Sequence, residues 1–321
     1  MLAHSSSSKL LPPAIVILGP TASGKSSLAL SITNYFPVEI ISIDSAQVYR
    51  YMDIGSAKPD QDILSKIPHH LINLINPDQQ YSAAQFRTDA LNKMKEITLR
   101  GKIPLLVGGT MLYFKALREG LSNLPPANQL IRKEIEISAA EKGWPSMHQL
   151  LHSYDPISAE RIKANDSQRI QRALEIYYLT GKPMSELMHP SDRETTPYQF
   201  ISIALLPADR TVLHLRIQHR FEMMLKMGLI EEVRSILEKF PLTLEMPSMR
   251  CVGYRQVYQY LNHQLSLAEL PEKGIAATRQ LAKRQLTWLR SMDALKKFDC
   301  LADDLTEQVL RYLQTTLNAN D

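Results

Sequence analysis

The stretch GPTASGKS, residues 19–26, fits the pattern G-x-x-x-x-G-K-[ST] without a mismatch, with Gly19, Gly24, Lys25 and Ser26 at its fixed positions. That spacing suits the holding of phosphate. The glycines let the backbone curl so that successive N–H groups point inward, and a following helix N-terminus adds partial positive charge. Lys25 can reach a terminal phosphate, and the Ser26 hydroxyl is a candidate Mg²⁺ ligand. Pro20, Thr21, Ala22 and Ser23 complete the loop. A second candidate is Asp44, at the end of the apolar run EIISID. Ligands of an open α/β sheet sit at its carboxyl edge, so Asp44 can be a metal partner or a general base there. A turn or helix-cap carboxylate is the plain alternative. The run IPLLVGGT ends in glycines and threonine, without the carboxylate that holds Mg²⁺ in ATPases and GTPases.

These residues need strands and helices to position them. AIVIL (14–18), VEIISI (38–43), IPLLVG (103–108) and ISIALL (201–206) read as buried parallel strands. Helical stretches separate the first three, which predicts β-α-β units and an α/β fold. AIVIL, the glycine loop and the helical SSLALSITNYF form the strand–loop–helix context that the phosphate motif requires. LSNLPPANQ (121–129) and SDRETTPYQ (191–199) are rich in turn residues and bound a polar, helical stretch. The expected architecture is a P-loop NTPase-like parallel-sheet core from residues 1–120 and 200–321, with an all-helical insertion at 121–199. After ISIALL the pattern is helical to about Leu317.

Composition narrows the classes. With 321 residues, 44% hydrophobic and 22% charged, the chain reads as an ordinary globular protein. No apolar run approaches the ~20 residues needed to cross a bilayer, and MLAHSSSSKLLPP reads as a disordered lead-in without a secretory core. Cys251 and Cys300 make neither a disulfide framework nor a metal pattern, so a cytoplasmic protein is expected. The net charge of +4 is too small to argue for nucleic acid. His69 and His70 lack further ligands at zinc spacing, and the 13 methionines read as packing.

Together, GPTASGKS (19–26), DSAQVYRYMDIGSAKP (44–59), PHHLIN (68–73), YSAAQFR (81–87), VGGTMLYFKAL (107–117), NDSQRIQRALE (165–175), RCVGYRQ (250–256) and ATRQLAKRQLTWLR (277–290) resemble the tRNA dimethylallyltransferases. The blocks occur in order over nearly the whole chain, which makes the resemblance highly specific. One small departure is Ser26, where family members often carry Thr; either hydroxyl can bind Mg²⁺. The resemblance implies transfer of a dimethylallyl group from its diphosphate to N6 of adenosine 37, in tRNAs reading codons that start with U. It implies Mg²⁺ as cofactor, dimethylallyl diphosphate and a tRNA anticodon stem-loop as partners, and neither DNA nor membrane. A monomer is the default, since no apolar heptad is evident.

The same resemblance implies roles for individual residues. Asp44 becomes the general base, Arg220 a second cationic clamp on the leaving group beside Lys25, and Thr21 and Thr110 hydroxyls that orient the reactants. Against tRNA it places Asp44, Ser45, Ala46, Gln47, Thr110, Arg132, Gln168, Arg169, Ile170, Gln171, Arg172, Arg250, Cys251, Val252, Gly253, Tyr254 and Arg255. Along KRQLTWLR, at about 100° per residue, Arg279, Lys283 and Arg290 share a helix face with Leu281 and Trp288 opposite. Taken alone, that basic stripe reads as a solvated face beside a packed one. With the family blocks in register, it reads as phosphate binding. The rivals are a P-loop kinase or NTPase, a prenyltransferase acting on free adenine nucleotides, and a tRNA-binding protein without chemistry. ATP hydrolysis favours the first, activity without tRNA the second, and dispensability of Lys25, Ser26 and Asp44 the third.

Overall fold

The computed structural model describes residues 11–122, 124–188 and 196–319. Residues 1–10 of the expected lead-in MLAHSSSSKLLPP, and part of the turn-rich segment at 191–199, lie outside them, while the lead-in's last residue, Pro13, begins a strand. Six parallel strands make one sheet in the order β3-β2-β4-β1-β5-β6. They are β1 (Pro13–Leu18), β2 (Val38–Ile43), β3 (His69–His70), β4 (Ile103–Gly108), β5 (Gln199–Leu206) and β6 (Lys296–Asp299). The glycine loop leads from the central β1 into α1 (Lys25–Thr33), and α2 (Gln61–Lys66) lies before β3. α3 (Ala83–Leu99) enters β4, which runs into α4 (Met111–Glu119). Ser82 and Gln85 close a reciprocal capping box at the start of α3.

Both faces of β1 are buried, and its side chains divide by period two. Ala14, Val16 and Leu18 join Phe86, Ala90 and Met94 of α3 and Phe114 of α4. Ile15 and Ile17 join Leu28, Ala29 and Ile32 of α1 with Val309 and Leu313 on the other side. The core is therefore a sheet between two helical layers.

The chain forms two compact units, one up to Arg118 and again from Thr196, the other beginning at Glu119. The second contains α5 (Gln129–Lys142), α6 (Trp144–Tyr154), α7 (Pro156–Arg161), α8 (Ser167–Thr180) and α9 (Met184–Leu187). Its own core includes Ile135, Leu151, Ile170 and Leu174. Tyr198 belongs to the sheet's core, and its hydroxyl meets Thr98 Oγ1 at 3.2 Å.

After β5 come α10 (Arg210–Lys226), α11 (Leu229–Lys239), α12 (Tyr254–Leu261) and α13 (Glu269–Ser291), followed by β6 and α14 (Leu305–Asn318). The unbroken helical run to Leu317 is thus corrected: β6 interrupts it, paired to β5. β6 ends in Asp299, so Asp44 after β2 is not alone in closing a strand with an aspartate. Asp299 accepts from the Ala208 and Leu301 N–H groups and closes a turn at the sheet's far edge. Among the described residues, no helix is long and apolar enough to cross a membrane.

Candidate active site

Parallel strands put their carboxyl ends on one edge, and three chemistry-bearing turns meet there. β1 delivers the glycine loop, β2 delivers Asp44, and β4, paired to both, delivers Gly109 and Thr110. A cavity of about 640 Å³ collects Thr21, Lys25, Ser26, Asp44, Thr110 and Arg220. Ser45, Ala46, Gln47, Arg250, Cys251, Val252, Gly253 and Arg284 also line it. Apolar side chains of α4, α10 and α13, including Met111, Phe221 and Trp288, supply further walls.

The loop's geometry follows from its residues. Gly24 adopts φ 81°, left-handed, immediately before α1, and no side chain caps that helix N-terminus. Lys25 folds back so that Nζ donates to the Pro20 carbonyl at 2.7 Å. Burial, reinforced by the charge of Arg220 and opposed by Asp44, lowers Lys25 to about 8. Burial likewise holds Arg220 below its ordinary value, with Asp44 opposing. The Asp44 carboxyl is raised above the usual range by burial, against the pull of the Ala46 N–H, Lys25 and Arg220. Asp44 Oδ1 accepts that N–H at 2.8 Å, so the turn role and the cavity position coexist in one residue. Thr110 Oγ1 accepts from the Ser45 N–H at 3.0 Å and donates to Ser45 Oγ at 3.2 Å, tying β4's turn to Asp44's neighbour.

Half-buried Lys25, Arg220 and Asp44 together carry net positive charge, and Arg250 and Arg284 at the lining add to it, which fits a multiply charged phosphate compound better than a neutral one. The oxygen donors offered are hydroxyls, including the exposed Ser26, and the single Asp44 carboxylate. Among the described residues no group of three His, Cys, Asp or Glu could hold a metal ion. Such a sparse oxygen set fits a hard cation that keeps waters and shares substrate phosphates.

The chain matches the family model described as IPP transferase over residues 47–292, and that described as isopentenyl transferase over 13–79. The chain belongs to the IPP transferase family. A tRNA dimethylallyltransferase of Nitrosomonas eutropha is 63% identical over 303 residues, covering 94% of this chain and 96% of that one. Among solved structures, the full-length tRNA isopentenylpyrophosphate transferase of Bacillus halodurans aligns with TM-score 0.70 and 32% identity, over 96% of this chain and 97% of that one. A eukaryotic dimethylallyltransferase solved acting on tRNA aligns with TM-score 0.78 and 28% identity, over 96% of this chain and 80% of that one.

The other IPP transferase block residues divide into exposed and internal positions, with Arg250, Gln47 and Gly253 among them also lining the cavity. Gln168, Arg169, Arg250, Arg255, Lys283 and Arg290 are exposed. Ile170 and Tyr254 are not: each is fully buried in a core, and the Tyr254 hydroxyl donates to Glu232 at 2.6 Å. Their side chains serve packing. Arg132 and Arg172 are engaged by the fully buried Glu175 at 2.9 and 2.6 Å, while Gln171 donates to Glu136 and to the Arg132 carbonyl. These side chains therefore hold the insertion together. Gln47 is tied to Ser42, whose hydroxyl donates to its amide oxygen at 2.8 Å. Gly253 sits buried before α12, where its N–H donates to Gln256.

In α13 the expected division holds in part. The buried face is Leu270, Gly274, Ala282, Gln285, Leu286 and Leu289. Leu281 and Trp288, both half-buried, line the cavity, and Trp288 also packs against the sheet's core as expected. Arg279 is half-buried, leaving Lys283 and Arg290 as the exposed part of the stripe. Gln285 carries no expected role in the sequence pattern, which shows a basic stripe opposite Leu281 and Trp288. The usable signal was a polar residue on the angular face shared with Ala282 and Leu289. Cys251 stays a thiol at neutral pH, since burial and the Asp44 charge push it up to about 12.

Proposed function

We propose that the chain transfers the dimethylallyl group of dimethylallyl diphosphate to N6 of adenosine 37, in tRNAs that read codons starting with U. The observation that carries this reading is the convergence of Lys25, Arg220 and Asp44 on one cavity that also has apolar walls. The allylic C–O bond breaks, and its electron pair leaves with the diphosphate. Loop N–H groups, Lys25 and Arg220 stabilise that growing charge, which is the kind of term that contributes most in buried sites. The N6 lone pair forms the new C–N bond, and the departing N6 proton passes to Asp44. A carboxylate whose proton affinity is raised by burial suits that task.

Ser26 and the diphosphate oxygens would hold Mg²⁺, which when bound supplies further positive charge to the leaving group. N6 is inaccessible within a stacked anticodon loop, so the nucleotide must turn out into the cavity. Exposed Arg250, Arg255, Lys283 and Arg290 offer phosphate contacts that place the stem-loop. The reading locates the reaction in the cytoplasm, with the chain acting as a monomer.

The decisive experiment incubates the protein with Mg²⁺, dimethylallyl diphosphate and an anticodon stem-loop carrying adenosines at positions 36 to 38. Mass analysis should find one added C5H8 unit on adenosine 37, and none when guanosine replaces it. Equal transfer to free adenine nucleotides would move the assignment to a nucleotide prenyltransferase.

A further inference from the structure

The glycine loop and the turn bearing Thr110 come from different strands, and neither turn bonds the other directly through a side chain among the hydrogen bonds described. Both are gripped by Gln285. Its Oε1 accepts from the Thr21 N–H at 2.8 Å, and its Nε2 donates to the Gly109 carbonyl at 2.9 Å. Gln285 is 8% exposed and lines the cavity wall. One side chain thus occupies a donor from β1's turn and an acceptor from β4's turn, with the strong distance sensitivity of buried hydrogen bonds.

The fit is close from the other side too. A methyl group on Gly109 would stand 2.3 Å from Gln285 Nε2 and 3.2 Å from the Gly19 carbonyl oxygen. The next residue, Thr110, holds Ser45, and Ser45 adjoins Asp44. A continuous set of contacts therefore runs from Thr21 through Gln285, Gly109, Thr110 and Ser45 to Asp44.

We propose that Gln285 is a positioning residue, which sets the diphosphate loop in register with the Thr110–Asp44 side of the cavity. Its amide bonds the Thr21 N–H and the Gly109 carbonyl and is not assigned a contact with either reacting atom. Its effect is on alignment of the breaking C–O bond with the incoming N6. The inference rests on the prenyl-transfer reading above.

Gln285→Met keeps the length and apolar stem but loses both hydrogen bonds. Misplacement by about 1 Å can cost about 10²-fold in rate, so kcat should fall about 10- to 100-fold. KM for both substrates should stay within about threefold, because Lys25, Arg220 and the exposed arginines are untouched. Gly109→Ala should give a similar kcat loss by displacing the same amide. If one clip is being broken twice, the double variant should be no slower than the slower single variant. Pyrophosphate-binding stoichiometry by calorimetry gives the folded fraction of each variant.

Multiplying losses in the double variant, a kcat within about threefold of wild type in Gln285→Met, or activity lost only in proportion to binding stoichiometry would each overturn the proposal. The wild-type control separates the two claims. If wild-type protein transfers no prenyl group, the functional reading fails; if it does and Gln285→Met matches it, only the positioning role fails.

Discussion

At the residue scale, Lys25 and Asp44 lie within each other's electrostatic reach, and burial moves each toward its neutral form. Asp44→Ala should lower turnover about 10²–10⁴-fold while leaving stem-loop affinity nearly intact. Single-turnover rates near those of wild type would remove Asp44 as the base. Lys25 carries a pH prediction with a definite sign. A lysine lowered to about 8 is roughly half neutral at pH 8, and a bound anion raises it again. Lys25 should therefore contribute uptake of up to about half a proton per bound pyrophosphate at pH 8, and much less at pH 6.5. Calorimetry in buffers of different ionisation enthalpy measures that uptake, and Lys25→Ala should lose this Lys25-dependent part of the pH dependence. Loop residues and Asp44 were legible in the sequence because their meaning is local: a glycine spacing, and a carboxylate ending an apolar run. Gln285 was not, because its partner Thr21 lies 264 residues away.

At the scale of elements, α10 and α13 decide where cations meet the sheet edge. Gly274 of α13 lies against α10, where an added Cβ would come within 1.9 Å of the Phe221 ring. Gly274→Ala should cost about 1–3 kcal/mol through overpacking, seen as a lower melting temperature. It should also weaken pyrophosphate binding, because Phe221 adjoins Arg220. Unchanged melting and unchanged binding together would show that the two helices separate without consequence. On the outer side of α13, replacing Lys283 or Arg290 by Ala should reduce the salt dependence of stem-loop binding by about one unit of slope or less per contact. An unchanged slope in both variants would leave the stripe as solvated surface. The long strands were readable from continuous β-branched runs. β3, with two histidines, and β6, KKFD, were too short and polar to give such a signal; pairing to an existing edge makes them strands.

At the scale of the whole molecule, buried carboxylates set the response to acid. Burial alone would raise Glu39, but hydrogen bonds from Arg100, His70 and Lys102 outweigh it and lower Glu39 from 4.5 to about 2. A depressed carboxyl contributes stability that is fully present above its unfolded value. That contribution is lost as pH falls from about 4.5 through about 2. Glu175 and Asp155 are lowered too, so they act with the same sign. Melting temperature should fall across that window in wild type, and less steeply in Glu39→Gln, which starts lower. Identical slopes would remove Glu39 from the account. By itself, the sequence determined the phosphate loop, the long strands, the helical insertion and the family resemblance. Each rests on local periodicity or on ordered blocks of neighbouring residues. Only the tertiary structure decided which members of those blocks face the cavity and which are internal ties. Arg132 and Arg172 meet Glu175, Tyr254 meets Glu232, and Gln285 joins two turns, because burial forces each polar group to find a partner wherever the fold brings one near.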